Sequence, residues 1–181
     1  MTRREVGPLI GADDTRELLV ELGRRLEGRG IEARLFLVEG AAMALAFSRT
    51  RVTRDLDAVF EPKKEIYEEA ARMADERGLP QGWLNDGVKG LLPDKHPPIE
   101  GTGTFSTPGL HVGVAAPEYL FAMKAQAARQ ETDGDDLRRL AGLLGITSLD
   151  QALSLVERFY GTERLRPHTQ LLLEDILETP H

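Results

Sequence analysis

The strongest constraint on the fold is a pair of short apolar runs joined by a segment of small residues and a basic loop. The first run leads into Val38-Glu-Gly-Ala-Ala-Met-Ala-Leu45, and the second lies within Thr53-Arg-Asp-Leu-Asp-Ala-Val-Phe60. Short apolar runs bounded by turn residues are typical of strands, and small residues allow a helix to pack closely on a sheet. The pattern predicts a strand, a tight turn at Gly40, a short helix, a basic loop and a second strand.

Two aspartates open the second predicted strand. Side chains alternate between the faces of a strand, so Asp55 and Asp57 are expected to point the same way and Leu56 the other way. Two carboxylates on one face repel each other unless a cation lies between them. Mg²⁺, or Mn²⁺ in its place, suits such oxygen ligands and is commonly shared with substrate phosphates. A pair of solvated acids at a strand edge is the alternative interpretation.

Helical and extended segments alternate in the first part of the chain, and helical segments alone follow. Periodic apolar residues bounded by glycine or proline predict the helices, and short apolar runs predict the strands. The predicted helices are residues 15–26, 41–47, 63–77, 118–129, 135–144, 149–160 and 167–177, with a break at 132–134. The predicted strands are residues 34–38 and 56–60, a brief strand at Phe105, and residues 110–115, with a hairpin turn at 107–109.

This order predicts an α+β (mixed α/β) fold in which a small mixed sheet is flanked by helices. Residues 1–116 form its mixed-sheet core and residues 117–181 a helical part packed on that core as one unit. With 181 residues and 41% hydrophobic residues the chain can bury such a core. The absence of cysteine excludes thiolate metal sites. A cytoplasmic protein without a membrane segment is expected, because no apolar run approaches about 20 residues.

A lysine and two further acids lie in the helical part. Leu120, Met123 and Ala127 form an apolar stripe that includes the position of Lys124. An inward lysine needs an anionic partner or a phosphate, whereas a snorkelling lysine would reach water; periodicity favours neither. Asp133 is predicted to cap the next helix, and Asp136 is better placed to face Lys124 or a bound nucleotide.

The loop between the two strands is basic. Arg49, Arg51 and Arg54 lie within six residues beside the acid pair. Clustered arginines can hold the phosphates of a nucleotide or an RNA backbone. Alternatively, Arg54 pairs with Asp55 or Asp57 and fixes its geometry. The net charge of −7 argues against general coating of nucleic acid but leaves room for such a local patch.

The runs Val38–Leu45 and Thr53-Arg-Asp-Leu-Asp57 together resemble the glycine signature and the D-x-D strand of the nucleotidyltransferase superfamily. Within it the chain is most similar to the AbiEii-type toxins and a related, largely uncharacterised bacterial family. Trp83-Leu-Asn-Asp-Gly-Val-Lys-Gly-Leu-Leu-Pro93 and Ala116-Pro-Glu-Tyr-Leu-Phe-Ala-Met-Lys124 also match, as do residues 133–137. The likeness spans roughly residues 31–160.

The resemblance implies a nucleotidyltransferase-like fold and transfer of a nucleoside monophosphate from an NTP to an acceptor, with pyrophosphate leaving. In toxin relatives the acceptor is tRNA, and an antitoxin protein restrains the activity. Carried over by position, the resemblance assigns Mg²⁺ binding to Asp55 and Asp57, a triphosphate contact to Lys124 and support of that contact to Asp136. Gly40 and Ala41 would lie beneath the phosphates, beside Arg51 and Arg54.

Two departures from the superfamily pattern bear on activity. The usual glycine pair of the signature is replaced by Glu39-Gly40, which places a carboxylate next to the expected phosphates. The third acid that many members carry on a later strand is not evident, because Leu110-His-Val-Gly-Val-Ala115 offers only His111 and Gly113. A catalytically weak or inactive module that binds a nucleotide or a protein partner is therefore the alternative function.

Overall fold

The computed structural model describes residues 8–47, 50–93, 97–165 and 167–178. The chain divides into two units, described separately below. The first comprises Met1–Lys89 and Glu100–Val114, and the second comprises Gly90–Ile99 and Ala115–His181.

The first unit alternates helices and strands along the chain. Its helices pack on a sheet through apolar residues at helical spacing, and its strands are short. The elements are α1 (Ala12–Gly28), β1 (Ala33–Leu37), α2 (Glu39–Ala46), β2 (Leu56–Glu61), α3 (Lys63–Arg77), β3 (Leu84–Asn85), β4 (Phe105–Thr107) and β5 (Leu110–Val114). A 3₁₀ turn covers Gly87–Leu91.

The strands form one mixed sheet in the order β3-β2-β1-β5-β4. β1 is antiparallel to β2 and parallel to β5, β2 is parallel to β3, and β4 and β5 form an antiparallel hairpin. The carboxyl ends of β1 and β5 therefore lie at the same edge of the sheet as the amino end of β2. The mixed sheet flanked by helices confirms the fold class expected from the sequence.

The two faces of the sheet differ in chemistry. One face is apolar and buried, and Leu110 on it lies close to Gly23 of α1, where an added Cβ would be 3.2 Å from the Leu110 Cβ. The other face carries Arg34, Asp57 and His111 at the alternate positions of β1, β2 and β5. Strand alternation thus separates the core from a polar face.

The predicted hairpin between β4 and β5 is confirmed. Gly109 has φ +75° in its turn, and an added Cβ would lie 2.5 Å from the carbonyl oxygen of Gly23 and 2.6 Å from the amide nitrogen of Glu27. Glycine is therefore required here both by the backbone angle and by the close passage of α1.

The second unit is helical. Its elements are α4 (Pro117–Ala127), α5 (Gln130–Leu144), α6 (Leu149–Tyr160), a 3₁₀ turn at Thr162–Arg164, and α7 (Pro167–Glu178). Tyr119 of α4 is buried and packs edge-on against Phe159 of α6, with ring centroids 5.5 Å apart. The Tyr160 hydroxyl donates a hydrogen bond to the backbone carbonyl of Leu91.

Two elements differ from the sequence prediction. The break between α4 and α5 was predicted at residues 132–134 but lies at residues 128–129, because Ala128 takes a left-handed conformation with φ +51° and ends α4. The two-residue strand β3 was not predicted, since two residues are too few to show an alternating pattern. Among the described residues, no helix is both long enough and apolar enough to span a bilayer.

Candidate functional site

The end of the sheet where β1 leads into α2 gathers several of the predicted site residues. Leu37 at the end of β1 is paired with Ala58 of β2, and the next residue, Val38, donates its backbone N–H to the carbonyl of Asp57 at 3.0 Å. This bond ties the start of α2 to the start of β2. Gly40, Ala41, Asp55 and Asp57 therefore belong to one region of the first unit, which we call the acidic edge.

The start of α2 has an unusual backbone. Glu39, and not the predicted Gly40, holds the positive φ of the turn, at +54°, and its side chain is only 7% exposed. A non-glycine residue in the left-handed region carries strain of the order of 1 kcal/mol. A glycine at this position would remove that strain.

Gly40 does not form the turn that was predicted at it. It lies within α2, and a Cβ added to it would be 3.1 Å from the Thr53 Oγ1. The absence of a side chain therefore allows the loop before β2 to pass close to the helix start. Thr53 is held there by paired backbone bonds to Ile10 of 2.8 and 2.9 Å and by its own hydroxyl, which donates to the Asp55 carbonyl at 2.9 Å.

The two aspartates sit in different local structures. Asp57 lies in β2, paired in register with Asn85 of β3, whereas Asp55 lies in the bend that precedes β2. Strand alternation therefore sets the direction of Asp57 but not that of Asp55. The Asn85 Nδ2 donates to the Asp55 Oδ2 at 3.2 Å, and both carboxylates are partly exposed. Asn85 thus contacts both acids, one through its side chain and one through strand pairing.

Asn85 was missed by the sequence analysis as a site residue. Its own side-chain oxygen accepts the backbone N–H of Gly87 at 3.0 Å, which holds the amide in a fixed direction. Trp83 anchors the same strand, because its indole N–H donates to the Ala70 carbonyl at 2.9 Å and its carbonyl accepts the Leu56 N–H. The available signal was the polar pair Asn85-Asp86, which follows Trp83 and Leu84 in the sequence.

Asp55 and Asp57 are the candidate residues of the acidic edge for a divalent cation that also binds a phosphate. Among the residues the structure describes, no group of three or more histidine, aspartate or glutamate side chains is placed to hold a metal ion. Asp55 and Asp57 supply carboxylate oxygens, and Mg²⁺ is often bound by one or two carboxylates together with phosphate oxygens. Binding of Mg²⁺ or Mn²⁺ by these two residues stays a prediction.

The predicted basic loop is only partly described. Arg51 is partly buried and Arg54 is exposed, while Arg49 lies outside the described residues. Lys63 at the start of α3 donates to the Asp86 Oδ2 at 2.6 Å, as does Lys89. The bond from Lys63 and the one from the Tyr67 hydroxyl hold the pKa of Asp86 below its usual value.

A second group of charged residues forms a buried cluster between α4 and α5 of the second unit. The Lys124 Nζ lies 2.8 Å from the Asp133 Oδ1 and 3.0 Å from the Asp136 Oδ2. Lys124 is 1% exposed, and each aspartate is 3% exposed. The Nε of Arg129, which is itself largely exposed, lies 3.2 Å from the Asp133 Oδ2. These four residues are the Lys124 cluster.

The cluster decides between the two interpretations of Lys124. Its ammonium points inward to carboxylates, so the snorkelling alternative is wrong. The prediction that Asp133 caps α5 is also wrong, because α5 begins at Gln130 and Asp133 lies a full turn inside it. The two acids are three positions apart in α5, so they share a helix face and reach one partner together. The triphosphate contact of Lys124 and the supporting role of Asp136 stay predictions.

The chain can be compared with protein families, with curated protein sequences and with solved structures. No protein-family model matches the chain, and the comparison with curated protein sequences finds no match. Among solved structures the chain is similar to an antigenic nucleotidyltransferase-like protein from Paracoccidioides brasiliensis. The two share 16% sequence identity with a TM-score of 0.49, and the likeness covers 92% of this chain and 95% of that one.

Proposed function

We propose that this protein is a Mg²⁺-dependent nucleotidyltransferase that moves a nucleoside monophosphate from an NTP to an acceptor such as tRNA. The observation that carries the proposal is the acidic edge, where Asp55 and Asp57 lie beside the start of α2. A helix start with free N–H groups favours phosphate, and adjacent carboxylates favour the cation that accompanies it.

Each residue of the acidic edge has a defined task under this proposal. Asp55 and Asp57 would hold Mg²⁺ or Mn²⁺, and the cation would supply positive charge next to the phosphates. Gly40 and Ala41 present backbone to the triphosphate, and Arg51 and Arg54 add positive charge from the neighbouring loop. Asn85 orients Asp55 through its 3.2 Å hydrogen bond. Binding and orientation supply most of the rate in phosphoryl transfer, so the absence of an evident general base is tolerable.

The test is transfer of label from each α-³²P-labelled NTP to total tRNA in the presence of Mg²⁺. Label is expected on RNA with at least one NTP, and Asp57→Asn should lower the initial rate at least about 100-fold, because a metal ligand is worth several kcal/mol. Asp13→Asn is the matched control, since Asp13 is exposed in the first turn of α1, and it should retain the full rate. Absence of label with all four NTPs would reject the proposal.

The proposal includes a biological role as the toxin of a cytoplasmic toxin–antitoxin pair. Its support is the motif resemblance to the AbiEii-type toxins. Induced expression is then expected to arrest growth, and Asp57→Asn to relieve the arrest at equal protein level. Coexpression with a protein encoded by an adjacent gene should restore growth. Arrest that persists in the Asp57→Asn strain would separate growth inhibition from nucleotidyl transfer.

A second candidate is a module of the same fold that binds a nucleotide or a protein partner without catalysis. The observation that favours it is Glu39, a buried carboxylate at the start of α2 where phosphates would lie. A negative charge there repels the charge that gathers on a transferring phosphate, and so opposes catalysis. Calorimetry with NTP and Mg²⁺, run beside a pyrophosphate-release assay, separates the candidates. Heat of binding without pyrophosphate favours the module, whereas Mg²⁺-dependent pyrophosphate release rejects it.

A further inference from the structure

Three side chains at the opposite end of the sheet form a continuous hydrogen-bonded chain. The Ser106 Oγ lies 2.9 Å from the His111 Nδ1, and the His111 Nε2 lies 2.9 Å from the Glu100 Oε1. A nucleophile within hydrogen-bond reach of a base, with that base held by a third group, is the arrangement that activates a serine. We call this group the Ser106 triad.

The chemistry of the three groups sets the direction of the hydrogen bonds. An ionised carboxylate only accepts, so Nε2 of His111 carries a hydrogen and donates it to Glu100. In a neutral imidazole the other nitrogen, Nδ1, is then an acceptor. The Ser106 hydroxyl therefore donates to Nδ1, and the imidazole is oriented to take the proton of that hydroxyl.

Strand pairing holds the triad in place. Ser106 of β4 is directly opposite His111 of β5, so the two side chains stand on one face of the sheet. Glu100 reaches His111 because Gly113, two residues further along β5, has no side chain. A Cβ added to Gly113 would lie 2.5 Å from the Glu100 Oε1. The space above Gly113 is occupied by the carboxyl group that orients the histidine.

The triad borders a cavity of about 820 Å³ within the first unit. Ser106 and His111 line it together with Arg34 and Lys63. Arg34 of β1 is paired in register with His111 of β5, so the two side chains stand next to each other on one face of the sheet. The volume lies within the range of small-molecule sites.

This cavity is separate from the acidic edge. Arg34 pairs with Glu61 at the end of β2, four residues beyond Asp57. At about 3.3 Å per residue these positions are about 13 Å apart along the strand. The two sites can therefore be altered independently.

We propose that the Ser106 triad is a second catalytic site, which cleaves short-chain carboxylic esters through an acyl-serine intermediate. The Ser106 Oγ attacks the carbonyl carbon while its proton passes to the His111 Nδ1. The ester C–O bond then breaks, and the leaving alcohol takes the proton from the same nitrogen. Water, activated by the same nitrogen, attacks the acyl group, releases the carboxylic acid and restores the Ser106 hydroxyl.

The other residues of the cavity define the substrate class. Glu100 stabilises the imidazolium that forms at each step, and Arg34 offers positive charge to the developing oxyanion. Glu32 and Glu61 also line the cavity, so much of its wall is charged. A polar wall favours a short acyl chain over a long aliphatic one.

The test uses p-nitrophenyl acetate, p-nitrophenyl octanoate and a fluorophosphonate probe on the full chain. The acetate should be cleaved faster than the octanoate, and the probe should add one adduct at Ser106, located by peptide mass spectrometry. Ser106→Ala and His111→Gln should each lower acetate cleavage about 100-fold, the scale of general-base catalysis. Ser154→Ala is the matched control, since Ser154 is exposed on α6, and it should leave the rate unchanged.

A second variant tests the arrangement without touching a reacting group. Gly113→Ala should displace the Glu100 carboxyl, a flexible side-chain end, and lower cleavage while circular dichroism stays that of the parent. Absence of acetate cleavage by the parent protein, adduct formation at other serines only, or full activity in Ser106→Ala would overturn the proposal. Nucleotidyl transfer is measured separately, so failure of either proposal leaves the other standing.

Discussion

The acidic edge and the Lys124 cluster place carboxylates in opposite environments. Asp55 and Asp57 are partly exposed, and Asp55 lies in a bend where the Asn85 Nδ2 donates to its carboxylate at 3.2 Å. Asp133 and Asp136 are 3% exposed and lie 2.8 and 3.0 Å from one buried ammonium. The first pair keeps access to water, whereas the second pair is buried against its counter-charge.

The difference shows that aspartate pairs have different roles when they are buried and when they are exposed to water. Moving a charge out of water costs several kcal/mol, so a buried carboxylate requires a partner built into the fold. A partly exposed carboxylate keeps its hydration and remains able to bind a ligand. Two pairs of acids that look alike in the sequence can therefore differ in function. A buried pair stabilises the fold, whereas a partly exposed pair is a candidate for binding a ligand.

The largest expected effect is loss of stability in Lys124→Met. Removal of the ammonium leaves two buried carboxylates without their cation, which should lower the free energy of unfolding by about 3–5 kcal/mol. Asp55→Asn at the acidic edge should change it by less than about 1 kcal/mol. Urea unfolding followed by circular dichroism measures both, with Lys64→Met as the control on an exposed lysine. Equal losses in Lys124→Met and Asp55→Asn would erase the distinction between the two regions.

The next effect is a loss of stability of the second unit as the pH rises in the alkaline range. Burial raises the pKa of Tyr119 to about 12 from a usual value of 10.0. The protonated Tyr119 hydroxyl therefore contributes its full stability below pH 10, and this contribution is lost as the pH rises towards 12. Over that range the free energy of unfolding should fall by up to about 1.4 kcal/mol per pH unit. Urea midpoints between pH 9 and 12 measure it. Tyr119→Phe should remove this slope, and parallel curves for parent and variant would contradict the assignment.

The smallest effect concerns backbone strain at the acidic edge. Glu39→Gly and Glu39→Ala both remove the carboxylate, but only glycine accepts φ +54° without strain. The glycine variant should therefore be more stable than the alanine variant by about 1 kcal/mol. Thermal unfolding of the pair measures the difference. An alanine variant as stable as the glycine variant would mean that the positive φ is not retained in solution.

Prediction from sequence succeeded where periodicity is long enough to read. The helix Lys63–Arg77 was predicted with its observed bounds, and the strand positions around Leu56 and Leu110 were found because apolar residues recur at regular intervals. The prediction missed β3, because two residues are too few to show a period. It also missed the end of α4 at Ala128, because alanine gives no sign of a left-handed conformation. A hydrophobic pattern predicts a helix or strand only when it extends over several residues.

The sequence by itself determined the order of the elements, the apolar face of each, and the candidate residues Asp55, Asp57 and Lys124, since these follow from spacing along one chain. Tertiary structure alone decided which side chains meet. The contact of Asn85 with Asp55 and the bond of Ser106 to His111 both depend on strand pairing, and the position of Glu100 depends on space left by a glycine. Spacing defines a face, whereas partners across strands are chosen by register and packing.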